Sequence, residues 1–239
     1  MAERTALPPE HHHRDLTGGL ARASVFGVSD GLVSNVSLIL GVAGADPSAS
    51  VVRLAGLAGL IAGAVSMAAG EWVSMKAQAE LLERELEMER IELRRNPVLE
   101  RNELAAIYRS RGVPAEVADD LATAMMRDPD VALETHAREE LGIDPASLGS
   151  PVGAAVSSFL AFSIGALVPL VPWFVAAGGA ATIASIVLAL AAASAVGFAL
   201  ARFTGRSPLR SAARQVLIAA VASTITYGIG SVVGIESVT

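Results

Sequence analysis

The sequence predicts an all-α membrane protein, with five transmembrane helices and a cytoplasmic helical bundle inserted between spans two and three. Three observations carry this. The chain is 52% apolar but only 4% aromatic, and its apolar residues are Ala, Val, Leu and Gly in long runs, the composition of membrane spans. Acidic residues are concentrated, with 17 of the 24 lying in residues 76–145 beside 10 of the 18 basic ones. All but one of the basic residues fall in segments that five crossings place on the same side.

The elements follow in order. Residues 1–22 are polar, carry Pro8, Pro9 and the His11, His12, His13 tract, and read as a cytoplasmic tail rather than a signal peptide. Residues 23–75 hold the first two spans, Ala23–Ala45 and Leu54–Met75, each long enough to cross a hydrocarbon core of about 30 Å. Residues 76–150 form the acidic domain. Its Glu/Leu/Arg/Met-rich start predicts that span two continues as one helix to Arg95, where Asn96-Pro97 stops it and starts another. That second helix ends at Gly112, a third runs from Pro114 to about Arg127, and a fourth from Val131 to Leu141 before Gly142. Residues 151–239 supply three more spans, Val152–Trp173, Ala177–Ala201 and Ala212–Val233. Arg4, Arg14 and Arg22 precede span one, and Arg202, Arg206, Arg210 and Arg214 lie between spans four and five. The arginine distribution therefore puts the N-terminus and the acidic domain in the cytoplasm and the C-terminus outside it.

Composition also excludes chemistry. With no cysteine there is no disulfide framework, thiolate zinc site or thiol redox centre. The acidic domain repels nucleic acid and attracts cations.

Two groups of residues stand out. Glu89 with Glu92, and Glu100 with Glu103, are i,i+3 pairs, so each pair shares a helix face. Glu140 adds a fifth carboxylate and His136, four residues earlier, a nitrogen. Carboxylates that close are unfavourable unless a cation or protons neutralise them, and hard oxygen with one nitrogen suits a divalent first-row metal. Met125 and Met126 offer sulfur, although a methionine pair on a helix is more commonly core filler. The bland alternative is a solvated charged helix, for Glu80, Glu83, Glu85 and Glu87 are acidic too.

The second group lies in the membrane. Asp30 is a carboxylate within a span, which is costly and marks an ion or proton pathway. Ser34 and Ser37 continue a polar stripe from it, while Gly56, Gly59, Gly63, Met67, Gly70 and Glu71 fall broadly on one face of span two. Glycines there serve close helix packing at the least. A pathway requires Asp30, Met67 and Glu71 to face one cavity.

The segments Ser29-Asp30-Gly31-Leu32-Val33-Ser34-Asn35 and Gly63-Ala64-Val65-Ser66-Met67-Ala68-Ala69-Gly70-Glu71, followed by the acidic insert and three spans, resemble the vacuolar iron transporter family over nearly the whole chain. The resemblance implies a five-span homodimer that exports Fe²⁺, and often Mn²⁺, from the cytosol in exchange for protons, with no organic cofactor. It assigns Asp30 and Met67 to the membrane pathway, and Glu89, Glu92, Glu100, Glu103 and Glu140 to a cytoplasmic metal site. The chain departs from the plant-type pattern at Gly59, where that pattern has a glutamate that Glu71 would replace. Family methionines fall by direct spacing on His136 and Ala137, which makes His136 the substitute ligand; Met125 and Met126 match only through an insertion. The expected setting is a prokaryotic plasma membrane. The competing expectation is a membrane-anchored ferroxidase of the di-iron type, although Glu134-Thr135-His136 is one residue short of the Glu-x-x-His motif those bundles carry. A sensor or scaffold merely anchored by the spans leaves Asp30 unexplained.

Overall fold

The computed structural model describes residues 19–142 and 149–236, and its described residues form helices joined by short turns, with no strand among them. The His11–His13 tract lies outside the described residues. Helix α1 spans Gly19–Ala43, α2 Ala49–Arg95, α3 Pro97–Ser110, α4 Ala115–Met125, α5 Pro129–Glu139, α6 Pro151–Leu170, α7 Pro172–Val175, α8 Gly178–Thr204 and α9 Pro208–Glu236. Five of them, α1, α2, α6, α8 and α9, are long and apolar enough to cross a membrane. The fold is that of an all-α membrane protein.

Helix α2 is the organising element. Its 47 residues run without interruption from an apolar first half into the charged second half, about 70 Å at 1.5 Å per residue. Nothing in Gly70–Arg95 breaks a helix, so the chain leaves the membrane without a turn. Asn96 ends α2 by donating its backbone N–H to the Glu92 carbonyl, and Pro97 occupies the first turn of α3, where a missing N–H costs nothing.

In the apolar half, α1 lies at the centre, packed on α6, α9, α2 and α8. The approach to α6 is close because the contact residues are glycines. A Cβ on Gly31 would stand 2.2 Å from the Phe162 carbonyl oxygen, and one on Gly165 the same 2.2 Å from that of Val28. Leu32, Val36 and Leu40 of α1 meet Ala189 and Ala193 of α8 and Ala219 of α9 in the largest apolar cluster. Many large apolar side chains, such as Ile164, Ile183, Leu217 and Ile229, point outward, as on helices whose solvent is hydrocarbon.

Several boundaries differ from expectation, among them the starts of span two, at Ala49 and not Leu54, and of span five, at Pro208 and not Ala212. The third span stops at Leu170, and Trp173 belongs to the separate short helix α7, because Pro172 cannot donate the backbone hydrogen bond that would continue α6. The Pro169 carbonyl, in the last turn of α6, accepts from the Ser185 hydroxyl of α8 at 2.7 Å. Helix α5 begins at Pro129, not Val131, since Asp128 caps it by accepting from the backbone N–H groups of Asp130 and Val131 at 2.9 and 3.3 Å. It also ends earlier, at Glu139, so Glu140 is its C-cap and not an interior residue.

Candidate functional site

Two sites emerge, joined by α2. The first is in the polar half. There α2, α3 and α5 converge so that one ligand atom from each of Glu89, Glu100, His136 and Glu140 lies within 4.8 Å of all the others. A cation with bonds near 2.1 Å holds opposite ligands about 4.2 Å apart, so small side-chain adjustments bring this set into coordinating range.

The two i,i+3 pairs divide their labour. Glu89 and Glu100 are turned inward, at 3% and 4% exposure, while Glu92 and Glu103 remain exposed. The outer pair still belongs to the cluster electrostatically. Burial raises the Glu89 carboxyl from 4.5 to about 7, with Glu140 adding repulsion, His136 opposing it, and Glu100 and Glu92 contributing further repulsion. Burial likewise raises Glu100, followed by repulsion from Glu103, and raises Glu140, again followed by Glu103; Glu92 adds to both. All six predicted residues therefore act on one another. Carboxylates pressed together and partly desolvated are the state a divalent cation relieves.

His136 sits at the floor of this cluster, fully buried. Its Nδ1 is 2.9 Å from the carbonyl of Ala132, one turn back on α5, and its Nε2 is 3.3 Å from the carbonyl of Glu100. Protonated, the ring donates to both carbonyls. With the proton kept on Nδ1 by the Ala132 carbonyl, Nε2 would be the ligand atom once it leaves the Glu100 carbonyl, the arrangement by which a backbone carbonyl orients a metal-binding imidazole. Glu89 Oε1 is buried with no hydrogen-bond partner, an orphaned acceptor of the kind a cation satisfies. The residues present fit a divalent metal.

Met125 lies elsewhere. It packs with Tyr108 against Leu104, Ala105 and Ala122 in the core between α3 and α4. Met126 caps α4. The Met125 position matches core filler. Arg111 of α3 ties down the end of α5 through the Glu139 carboxylate and, at 3.1 Å, the Glu139 carbonyl, which fixes the backbone next to Glu140.

The second site is in the apolar half. A cavity of about 520 Å³ opens between α1 and α2, with Phe162 of α6 at its back, and Asp30, Met67 and Glu71 all line it. Asp30 is half-buried on this wall and does not extend away from Met67. The glycines shape this wall: at Gly70 a Cβ would meet nothing within 4 Å, while Gly59 and Gly63 let Leu38 and Phe162 approach. Gly59, Gly63 and Gly70 line the same wall. A Cβ on Gly63 would meet the Phe162 ring at 2.2 Å. Gly56 does not belong to it: its missing side chain makes space for Leu170 and Ile39 on the far side. Ser34 lines the cavity, but Ser37 faces a separate apolar cleft against α9, so the polar stripe of α1 is shared between two spaces.

Spacing from Asp30 misses several cavity residues. Asn35 stands five positions on, off the i+4/i+7 stripe, yet lines the cavity with Ser66 and Ser74. The signal that would find it is chemical: an amide inside an apolar span needs partners for both ends.

The sequence profile of the VIT family matches residues 21–231. The chain is 33% identical to vacuolar iron transporter 1 of Eucalyptus grandis over 233 residues, covering 97% of this chain and 94% of that protein. It is 32% identical to vacuolar iron transporter 1 of Arabidopsis thaliana over 233 residues, covering 97% and 93%. With the vacuolar iron transporter of Acanthamoeba castellanii the identity is 39% over 231 residues, covering 94% and 83%. The ferroxidase alternative gains no support from these matches. The chain belongs to the VIT family, whose members are transporters and not enzymes.

Proposed function

We propose that this protein exports ferrous iron, and manganese, from the cytoplasm in exchange for protons, as a homodimer. The observation that carries the reading is the convergence of Asp30, Met67 and Glu71 on one membrane cavity, beside the glycines that line it. Relatives named as vacuolar iron transporters support iron as cargo. The donor set of carboxylate and thioether accepts Fe²⁺ and Mn²⁺ alike.

The acidic cluster gathers the cation on the cytoplasmic side. Glu89 is 18 residues beyond Glu71 on the same helix, about 27 Å along its axis, so the rigid α2 holds collector and pathway at a fixed separation. Metal handed to the cavity meets Glu71 at its mouth, then Met67 and Asp30. Protons entering from the other side neutralise Asp30 or Glu71, weaken the hold on the cation and release it outward. Among the described residues the cavity is walled by α1, α2 and one ring of α6, and a second copy of the chain would complete the enclosure.

Purified protein in liposomes tests this, with Fe²⁺ kept reduced and a pH gradient imposed and then reversed. Metal flux that follows the gradient and moves protons the opposite way is the expected result. Flux indifferent to the gradient removes the proton coupling, and absence of any metal flux removes the transport reading.

A further inference from the structure

We propose that Asn35 is a ligand of the transported cation, supplying its side-chain carbonyl oxygen to the cavity shared by Asp30 and Met67. This rests on the transport reading above. The side chain is 2% exposed, inside an apolar helix. Its Nδ2 donates to the Ala166 carbonyl of α6 at 2.6 Å. Only the NH₂ end of an amide can face a carbonyl oxygen that closely, so this bond also fixes where the other end points.

That other end is unexplained by packing. Oδ1 is buried and has no hydrogen-bond partner. An acceptor stripped of water and left unpaired is destabilising, and a role as a strut between α1 and α6 accounts for the nitrogen alone. The oxygen is directed at Gly59, where a Cβ would stand 2.9 Å away. The lack of a side chain at Gly59 is therefore what leaves Oδ1 uncrowded at the wall of the cavity that both residues line. A neutral oxygen suits a cation there. It replaces part of the hydration shell of the ion without adding a further negative charge to a space that must also stand empty in hydrocarbon.

Initial rates of Mn²⁺ and Fe²⁺ entry into liposomes, measured against metal concentration at fixed pH gradient, test the proposal together with the melting temperature of each variant in detergent. Losing one ligand in Asn35→Ala should raise KM for metal roughly tenfold, the lower end of what loss of a supporting group costs metal affinity. Asn35→Asp keeps an oxygen in the cavity but loses the bond to Ala166, so its melting temperature should fall as in Asn35→Ala while its KM stays at or below the wild-type value. Gly59→Ala leaves the Asn35 side chain in place in the sequence but sets a Cβ 2.9 Å from its oxygen and 2.4 Å from the flexible end of Leu38, and should raise KM; with Asn35→Asp it carries the test if Asn35→Ala does not fold. Unchanged KM in Asn35→Ala and Gly59→Ala, with only melting temperatures lowered, reduces Asn35 to a strut and overturns the proposal while transport stands. A wild-type protein that moves neither metal overturns the transport reading itself.

Discussion

At the scale of single residues, the proposed metal site sets protonation and metal in competition for the same carboxylates. Glu89 ionises at about 7 in the fold and at 4.5 when unperturbed, so its neutral form is the one the fold favours. Its stabilising contribution is complete below 4.5 and lost as pH rises to about 7. The metal-free protein should therefore melt at lower temperature as pH rises through that window, and Glu89→Gln should flatten the dependence. Added Mn²⁺ should reverse it, since the ionised cluster binds metal best. Thermal scans at several pH values with and without Mn²⁺ check both, and a metal-free protein whose melting point climbs from pH 5 to 7 would contradict the repulsion described. What the sequence shows of this site is its membership. The i,i+3 spacing puts Glu89 beside Glu92 and Glu100 beside Glu103, but spacing within a helix cannot say which member faces inward. That depends on how α2, α3 and α5 cross, and only the folded chain decides that Glu89 and Glu100 are the buried ones. His136 was readable as a nitrogen near Glu140; its support by the Ala132 and Glu100 carbonyls was not.

At the scale of elements, the boundaries set by proline and glycine were legible because those residues act locally. Asn96-Pro97, Gly112 and Gly142 each end a helix near where the sequence places the break, and Gly112 and Gly142 adopt positive φ. The start of α5 reads as Val131 in the sequence, but the capping residue, Asp128, sits three residues before it. Asp128→Ala should cost about 1 kcal/mol and loosen the end of α5 that precedes His136. Faster hydrogen exchange at Asp130 and Val131 would register it. Helix α1 depends on a different local fact. With the Phe162 backbone 2.2 Å from where a Cβ would stand, Gly31→Ala must push α1 off α6, at a cost of about 1–3 kcal/mol. Because Asp30 is the neighbouring residue, the same change should disturb the cavity, visible as lost metal flux before the protein ceases to fold. Gly56 shows the limit of face-counting in the other direction, since it shares the glycine spacing of α2 and serves packing on the far side.

At the scale of the molecule, the proposed collector and the proposed pathway share one continuous helix, and neither explains the other alone. The acidic cluster by itself describes a metal-binding bundle. Asp30 by itself is a costly carboxylate in hydrocarbon. Together, on α2 and on the α1 helix beside it, they describe a route. The proposed homodimer closes the cavity with a second copy, so native mass spectrometry of the detergent-solubilised protein should show two chains; a monomer that transports would remove the proposed closing wall. The central claim is that Asp30 holds the cation or the proton in turn, and its test is metal flux with proton counterflow in liposomes carrying wild type or Asp30→Ala. The account predicts that the variant, folded and still binding Mn²⁺ at its acidic cluster, moves neither metal nor protons. Counterflow that survives Asp30→Ala would contradict it.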